Sequence, residues 1–122
     1  MTFDYDDQNI FARILRGDIP NRTVFENDYA LAFEDIAPQA PVHVLVIPKG
    51  PYVSLDHFAG AASAEEQVGF FQAVAEVCKI AEVDDGFRAI SNTRTHGVQD
   101  VPHFHMHILG GKRLGRMLPD AM

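Results

Sequence analysis

Three histidines stand two residues apart in His103-Phe104-His105-Met106-His107, half of the six in the chain. That spacing is the period of an extended strand, so the imidazoles project from one face while Phe104, Met106 and Ile108 project from the other. Imidazole titrates near neutral pH, and either ring nitrogen can hold a proton, a metal or an electrophile. One face is therefore available for chemistry and the other for a core. Histidines at i and i+2 can share a zinc ion, but those at i and i+4 start about 13 Å apart on a strand rising ~3.3 Å per residue. Bonds from zinc to nitrogen are only ~2.0 Å long, so convergence of all three demands a bulge or bend. The first acid after His107 is Asp120, too far along to complete such a site. Covalent chemistry suits the pattern better: a neutral imidazole attacks phosphorus, and the phosphorylated ring is then a reactive donor toward water. Such a nucleophile needs one nitrogen held protonated and the other aimed. His105, flanked by His103 and His107, has neighbours on both sides, and His43 is a cross-strand partner if its strand lies alongside.

The remaining elements must position this stretch. Asn9 can cap a short helix over residues 10–16, closed by Gly17. Residues 23–26 and 29–34 read as a hairpin across Asn27-Asp28. Two prolines then interrupt the chain before a strand over 42–47, in which His43 shares a face with Leu45 and Ile47. Ser63-Ala64-Glu65-Glu66 has the form of a capping box and opens the longest helix. Its apolar stripe is Phe70, Phe71, Val74, Val77, Cys78 and Ala81, and Asp84-Asp85-Gly86 ends it. Residues 87–92 form a strand, 93–102 a polar loop, and 103–109 the histidine strand, terminated by Gly110-Gly111. This order specifies an α+β domain with a five-stranded, mainly antiparallel sheet, one long helix and one short one. Residues 1–8 read as a frayed acidic leader and 112–122 as a basic tail.

Composition narrows the classes of function. A chain of 122 residues that is 47% hydrophobic and 22% charged suffices for one domain with its own core. The net charge of −7 argues against binding nucleic acid or an anionic membrane, which requires basic surface. Cys78 is the only cysteine, so there is neither a disulfide framework nor a cysteine-rich zinc site. A core position for Cys78 and a reducing cytosol are expected. The sequence shows no signal core and no run long enough for a membrane helix, so a cytoplasmic protein is expected.

His103-Phe104-His105-Met106-His107-Ile108-Leu109 resembles the motif of the histidine triad (HIT) superfamily, and the trailing Gly110-Gly111 resembles its branch of histidine triad nucleotide-binding proteins. Ile10-Phe11, Arg16-Gly17 to Pro20, Leu31 to Pro41, His43 and Leu45 to Lys49 resemble that branch in order and spacing, so that roughly residues 9 to 111 are covered. The resemblance implies a purine nucleoside phosphoramidase that hydrolyses the P–N bond of AMP or GMP conjugates through a nucleotidyl-histidine, without a metal or other cofactor. His105 would be the nucleophile, His107 would bond the phosphate or leaving group, His103 would orient His105, and His43 would join the relay behind it. Asp35 would receive the ribose hydroxyls. Ile10, Phe11, Phe33, Ile36 and Leu45 would wall the base pocket, while Asn92, Gln99, Asp100 and the amide of Val101 would lie at the phosphate. A homodimer with a continuous sheet is implied as well. The alternatives are a dinucleoside polyphosphate hydrolase, which Gly110-Gly111 disfavours, and a non-catalytic nucleotide-binding module.

The chain departs from the family in two places. Where the family usually has Gly-Gln followed by a hydroxyl residue, this chain has Val98-Gln99-Asp100, so either Gly97 supplies the tight geometry or the loop differs locally. A carboxylate beside a phosphate is repulsive unless it is turned away, protonated or serving as an acid. The tail also lacks the aromatic residue that often helps to select the leaving group, which leaves that preference open.

Overall fold

The computed structural model describes residues 2–119. Met1 of the leader and the last three residues of the tail lie outside the described residues. Strands β1 (Thr23–Glu26), β2 (Ala30–Glu34), β3 (Val42–Pro48), β4 (Phe87–Ile90) and β5 (Met106–Gly110) form one sheet in the order β1-β2-β3-β5-β4. All neighbours are antiparallel. The last strand of the sequence is thus inserted between β3 and β4, and its residues meet neighbours on both sides.

Each face of the sheet has its own core. On one, Ala30, Ala32, Val44, Val46, Phe104 and Ile108 pack under helix α3 (Ala64–Ile80) and Phe58 of α2 (Leu55–Ala61). On the other, Leu31, Phe33, Leu45 and Ile47 pack against Phe11 and Ile14 of α1 (Ile10–Leu15). The alternation read in residues 42–47 accordingly delivers Val44 and Val46 to the first core and Leu45 and Ile47 to the second.

Local chemistry explains the boundaries. The Asn9 side chain accepts from the amide of Ala12 and starts α1. Both bonds of the Ser63–Glu66 capping box are made, satisfying two of the free donors at the start of α3. Within α3 the buried side is Gly69, Phe70, Ala73 and Val77. Phe71, expected in that stripe, is 55% exposed because one residue turns about 100° around a helix, away from the Phe70–Ala73–Val77 line. Gly111 adopts φ +89°, and a Cβ there would meet Pro41 Cβ at 2.8 Å, so the Gly-Gly ending is required sterically.

The helix inventory differs from the expected pair. Helix α2 starts at Ser54, whose hydroxyl accepts from the amide of His57, and it buries only Phe58, too little to print a period on the sequence. A single turn, α4 (Arg94–Gly97), lies in the loop that was read as irregular.

The histidine strand is also shorter than its alternation suggests. Pairing with β3 begins at Met106 opposite Val46, and His103 to His105 lie before it. Pro48 has no N–H to offer a ladder, and its carbonyl is taken by His103 Nε2 at 2.9 Å. The Phe104 amide turns instead to the Tyr52 carbonyl at 2.7 Å. Alternation of faces survives without the ladder: Phe104, Met106 and Ile108 join the first core, and the histidines point to the other side.

Candidate active site

The sheet order brings His43 and His107 together. Leu45 is opposite His107 and His43 is opposite Leu109, which makes the two histidines diagonal neighbours on one face. His43 Nε2 lies 2.9 Å from His107 Nδ1 and 3.4 Å from an Asp35 carboxylate oxygen. The amide of Gln39 donates to His43 Nδ1 at 3.1 Å. An N–H can only donate, so His43 Nδ1 is the acceptor nitrogen and its neutral ring carries the proton on Nε2. That proton faces His107 Nδ1, which makes His107 the tautomer with its proton on Nε2. One backbone amide thus fixes a two-histidine relay that presents an N–H donor at its end. His43 backs His107, not His105 as the sequence reading had it, because β3 pairs with the chain only from Met106 onward.

His105 is held differently. Its Nδ1 lies 2.7 Å from the His103 carbonyl, which can only accept, so Nδ1 carries the proton and Nε2 keeps its lone pair. The His103 backbone, rather than its ring, therefore orients His105. The His103 ring is wholly buried and bridges Pro48 O with Nε2 and the Tyr5 hydroxyl, at 2.6 Å, with Nδ1. Tyr5 was missed because it lies in the acidic stretch read as frayed. That stretch has no regular structure, yet Arg16 bonds the Asp7 carbonyl at 2.6 Å and Phe3 stacks on His57.

Burial keeps the rings neutral. It pushes His103 and His107 down to about 4, with the nearby histidines adding to the effect, and lowers His105 and His43 as well. A nucleophilic imidazole requires the neutral form.

Beside these rings a cavity of about 240 Å³ is lined by Ile10, Phe11, Phe33, Ile36, Leu45, Asp35, Asp100, Val101, His105 and His107, with Ile14, Ile19, Pro20, Asn21 and Glu34. Phe11 stands edge-on to His105, with centroids 5.0 Å apart, and to Phe33. Ile36 is 96% exposed at the rim, an apolar wall with nothing on its outer side among the described residues. All five residues expected to wall a base pocket are thus gathered, together with Asp35, Asp100 and Val101. Asn92 and Gln99 do not line the cavity. The Gln99 side chain is committed to the loop itself: its NH₂ bonds Val53 O and Val101 O at 2.7 and 2.9 Å, and its oxygen accepts from the Arg94 amide. Arg94 in turn forks onto Asp56 at 3.2 and 2.8 Å, tying the loop to α2. Two residues of this loop have positive φ, Arg94 (φ 55°) and Val98 (φ 56°), and Gly97 is not one of them.

Among the described residues, Asp35, His43 and His107 offer three donor atoms within 4.8 Å of one another, a set that could hold a divalent ion. Binding there through His43 Nε2 would break the His43–His107 bond. This is a different set from the three alternating histidines, and the sheet register is what assembles it.

A comparison with protein families matches the HIT domain over residues 16–114. The chain is 50% identical over 119 residues to a HIT-like protein of Azospirillum brasilense, covering 97% of this chain and 98% of that one. It is 42% identical over 116 residues to the purine nucleoside phosphoramidase of Escherichia coli, covering 92% and 94% respectively. Among solved structures, a HIT family hydrolase from Clostridium thermocellum superposes with a TM-score of 0.84 at 30% identity, over 93% of this chain and 99% of that one. The alternating histidines, the sheet that inserts the strand carrying His107 between β3 and β4, and this agreement along nearly the whole length make the chain a member of the HIT domain family.

Proposed function

We propose that the protein is a purine nucleoside phosphoramidase acting through a nucleotidyl-histidine on His105. The observation that carries the proposal is the division of labour among the neutral rings. His105 presents a lone pair on Nε2 at a cavity with apolar walls, and His107 presents an N–H. In this reading the purine lies between Ile10, Phe11, Phe33, Ile36 and Leu45, and Asp35 accepts from the ribose. His105 Nε2 attacks the α-phosphorus while His107 Nε2–H hydrogen-bonds the leaving nitrogen; the bond from phosphorus to the amine breaks, and the amine leaves with the electron pair and a proton taken up from solvent, so that His107 stays neutral. Water then attacks the nucleotidyl-histidine, releases the monophosphate, gives a proton back to solvent and restores His105 with its proton on Nδ1. The 42% identity with a phosphoramidase supports the choice of substrate class.

Dinucleoside polyphosphates fit less well. The described residues lining the cavity include Glu34, Asp35 and Asp100 but neither lysine nor arginine, so nothing there neutralises additional phosphates. Replacing His105 with alanine is expected to abolish hydrolysis of an AMP–amine conjugate while AMP still binds, and wild-type turnover is expected to persist in chelator. Comparable turnover by His105→Ala would overturn the mechanism.

A further inference from the structure

Asp100 replaces a hydroxyl residue of the family pattern, and the structure shows where its charge falls. It is exposed at the cavity beside Val101, His105 and His107. The other two carboxylates of the lining are engaged: Glu34 with Arg22 at 3.4 Å, and Asp35 with the Ala37 amide at 2.8 Å. The ion pairs of the described residues do not include Asp100. It shares the cavity lining with His105 and His107, the two rings proposed to act at phosphorus, and its negative charge favours their protonated forms. In the proposed mechanism the leaving amine is bonded by His107, which lines the same cavity as Asp100.

Resting on the phosphoramidase reading, we propose that Asp100 selects the leaving group by charge. The favoured substrates are nucleoside monophosphates joined to an amine that carries a second, cationic nitrogen. Neutral amines are poorer, and anionic leaving groups poorer still. An ammonium facing Asp100 gains an ion pair, whereas a carboxylate or further phosphate meets a like charge that no described lysine or arginine of the lining offsets. Because Asp100 is exposed, each step is moderate, about fivefold, and salt screens it.

Three AMP phosphoramidates of matched length test this, made with 1,2-diaminoethane (cationic), n-propylamine (neutral) and glycine (anionic). Their kcat/KM values are compared in the wild type and Asp100→Asn at low and high salt. The expected wild-type order is cationic over neutral over anionic by about fivefold per step, levelled both by Asp100→Asn and by salt. A loss of folding alone would lower all three rates without changing their order. In parallel, the affinities of the same compounds are measured on His105→Ala with and without Asp100→Asn, where no turnover intervenes. Wild-type turnover of all three at equal rates, or an order that persists in Asp100→Asn, overturns the inference and leaves the phosphoramidase reading standing. No turnover of any compound, with a binding order that Asp100→Asn removes, overturns the phosphoramidase reading and supports the role of Asp100.

Discussion

Acid is expected to act on the stability of this protein before it disarms the nucleophile. His103 is wholly buried with both nitrogens bonded, and burial pushes it down to about 4, against about 6.5 in an unfolded chain. Between those values the unfolded chain binds a proton that the folded one refuses, so stability rises with pH across the window. The contribution is fully present above about pH 6.5 and is lost progressively as the pH falls toward about 4. At about pH 5 the loss from His103 alone is roughly 2 kcal/mol, a substantial part of the 5–15 kcal/mol typical of a domain. His43, His105 and His107 are lowered for the same reason and contribute with the same sign. The perturbation that isolates His103 is His103→Gln, whose amide can accept from Tyr5 and donate to Pro48 O but does not titrate. Urea denaturation between about pH 7.5 and about pH 5 should show the variant losing about 2 kcal/mol less than the wild type over that interval. Equal losses in the two proteins would refute the assignment of a buried, neutral His103. The same shifts keep His105 and His107 neutral in mild acid, so kcat/KM should not fall at the ordinary histidine value.

Two further outcomes test the supports of the site. Tyr5→Phe leaves the buried His103 Nδ1 without its donor and is expected to destabilise the protein by about 1–2 kcal/mol, measured by urea denaturation; an unchanged midpoint would show that the leader contact is not made in solution. Val98 holds a left-handed backbone while 71% exposed, so Val98→Gly removes a strain of about 1–2 kcal/mol and forfeits little packing. After glycine's entropy cost of roughly 0.5–1 kcal/mol, thermal unfolding should rise by about 2–4 °C, and a fall would show that the side chain supports the loop.

Much of the fold was legible because its signals are local. The alternation of residues 42–47, the Ser63–Glu66 box and the Asn9 cap each state a requirement satisfied within a few residues of chain. Helix α2 was not legible, since one buried phenylalanine leaves no periodic trace. The exposure of Phe71 follows from the precise rotation of the helix, to which a list of apolar residues is blind.

The division is sharper at the site. The sequence by itself determined which residue types face together, because an extended chain alternates faces whether or not it is paired. It thereby placed the histidines opposite Phe104, Met106 and Ile108, and singled out His105. Tertiary structure decided the connections. That His43 backs His107, that the carbonyl of His103 rather than its ring aims His105, and that Tyr5 closes the arrangement all depend on contacts spanning 64, 2 and 98 residues of chain. Two of these depend on sheet register and on where a distant segment docks, quantities that no local pattern encodes. The third depends on which nitrogen of a ring finds an acceptor, and that is settled only when the surrounding backbone is in place.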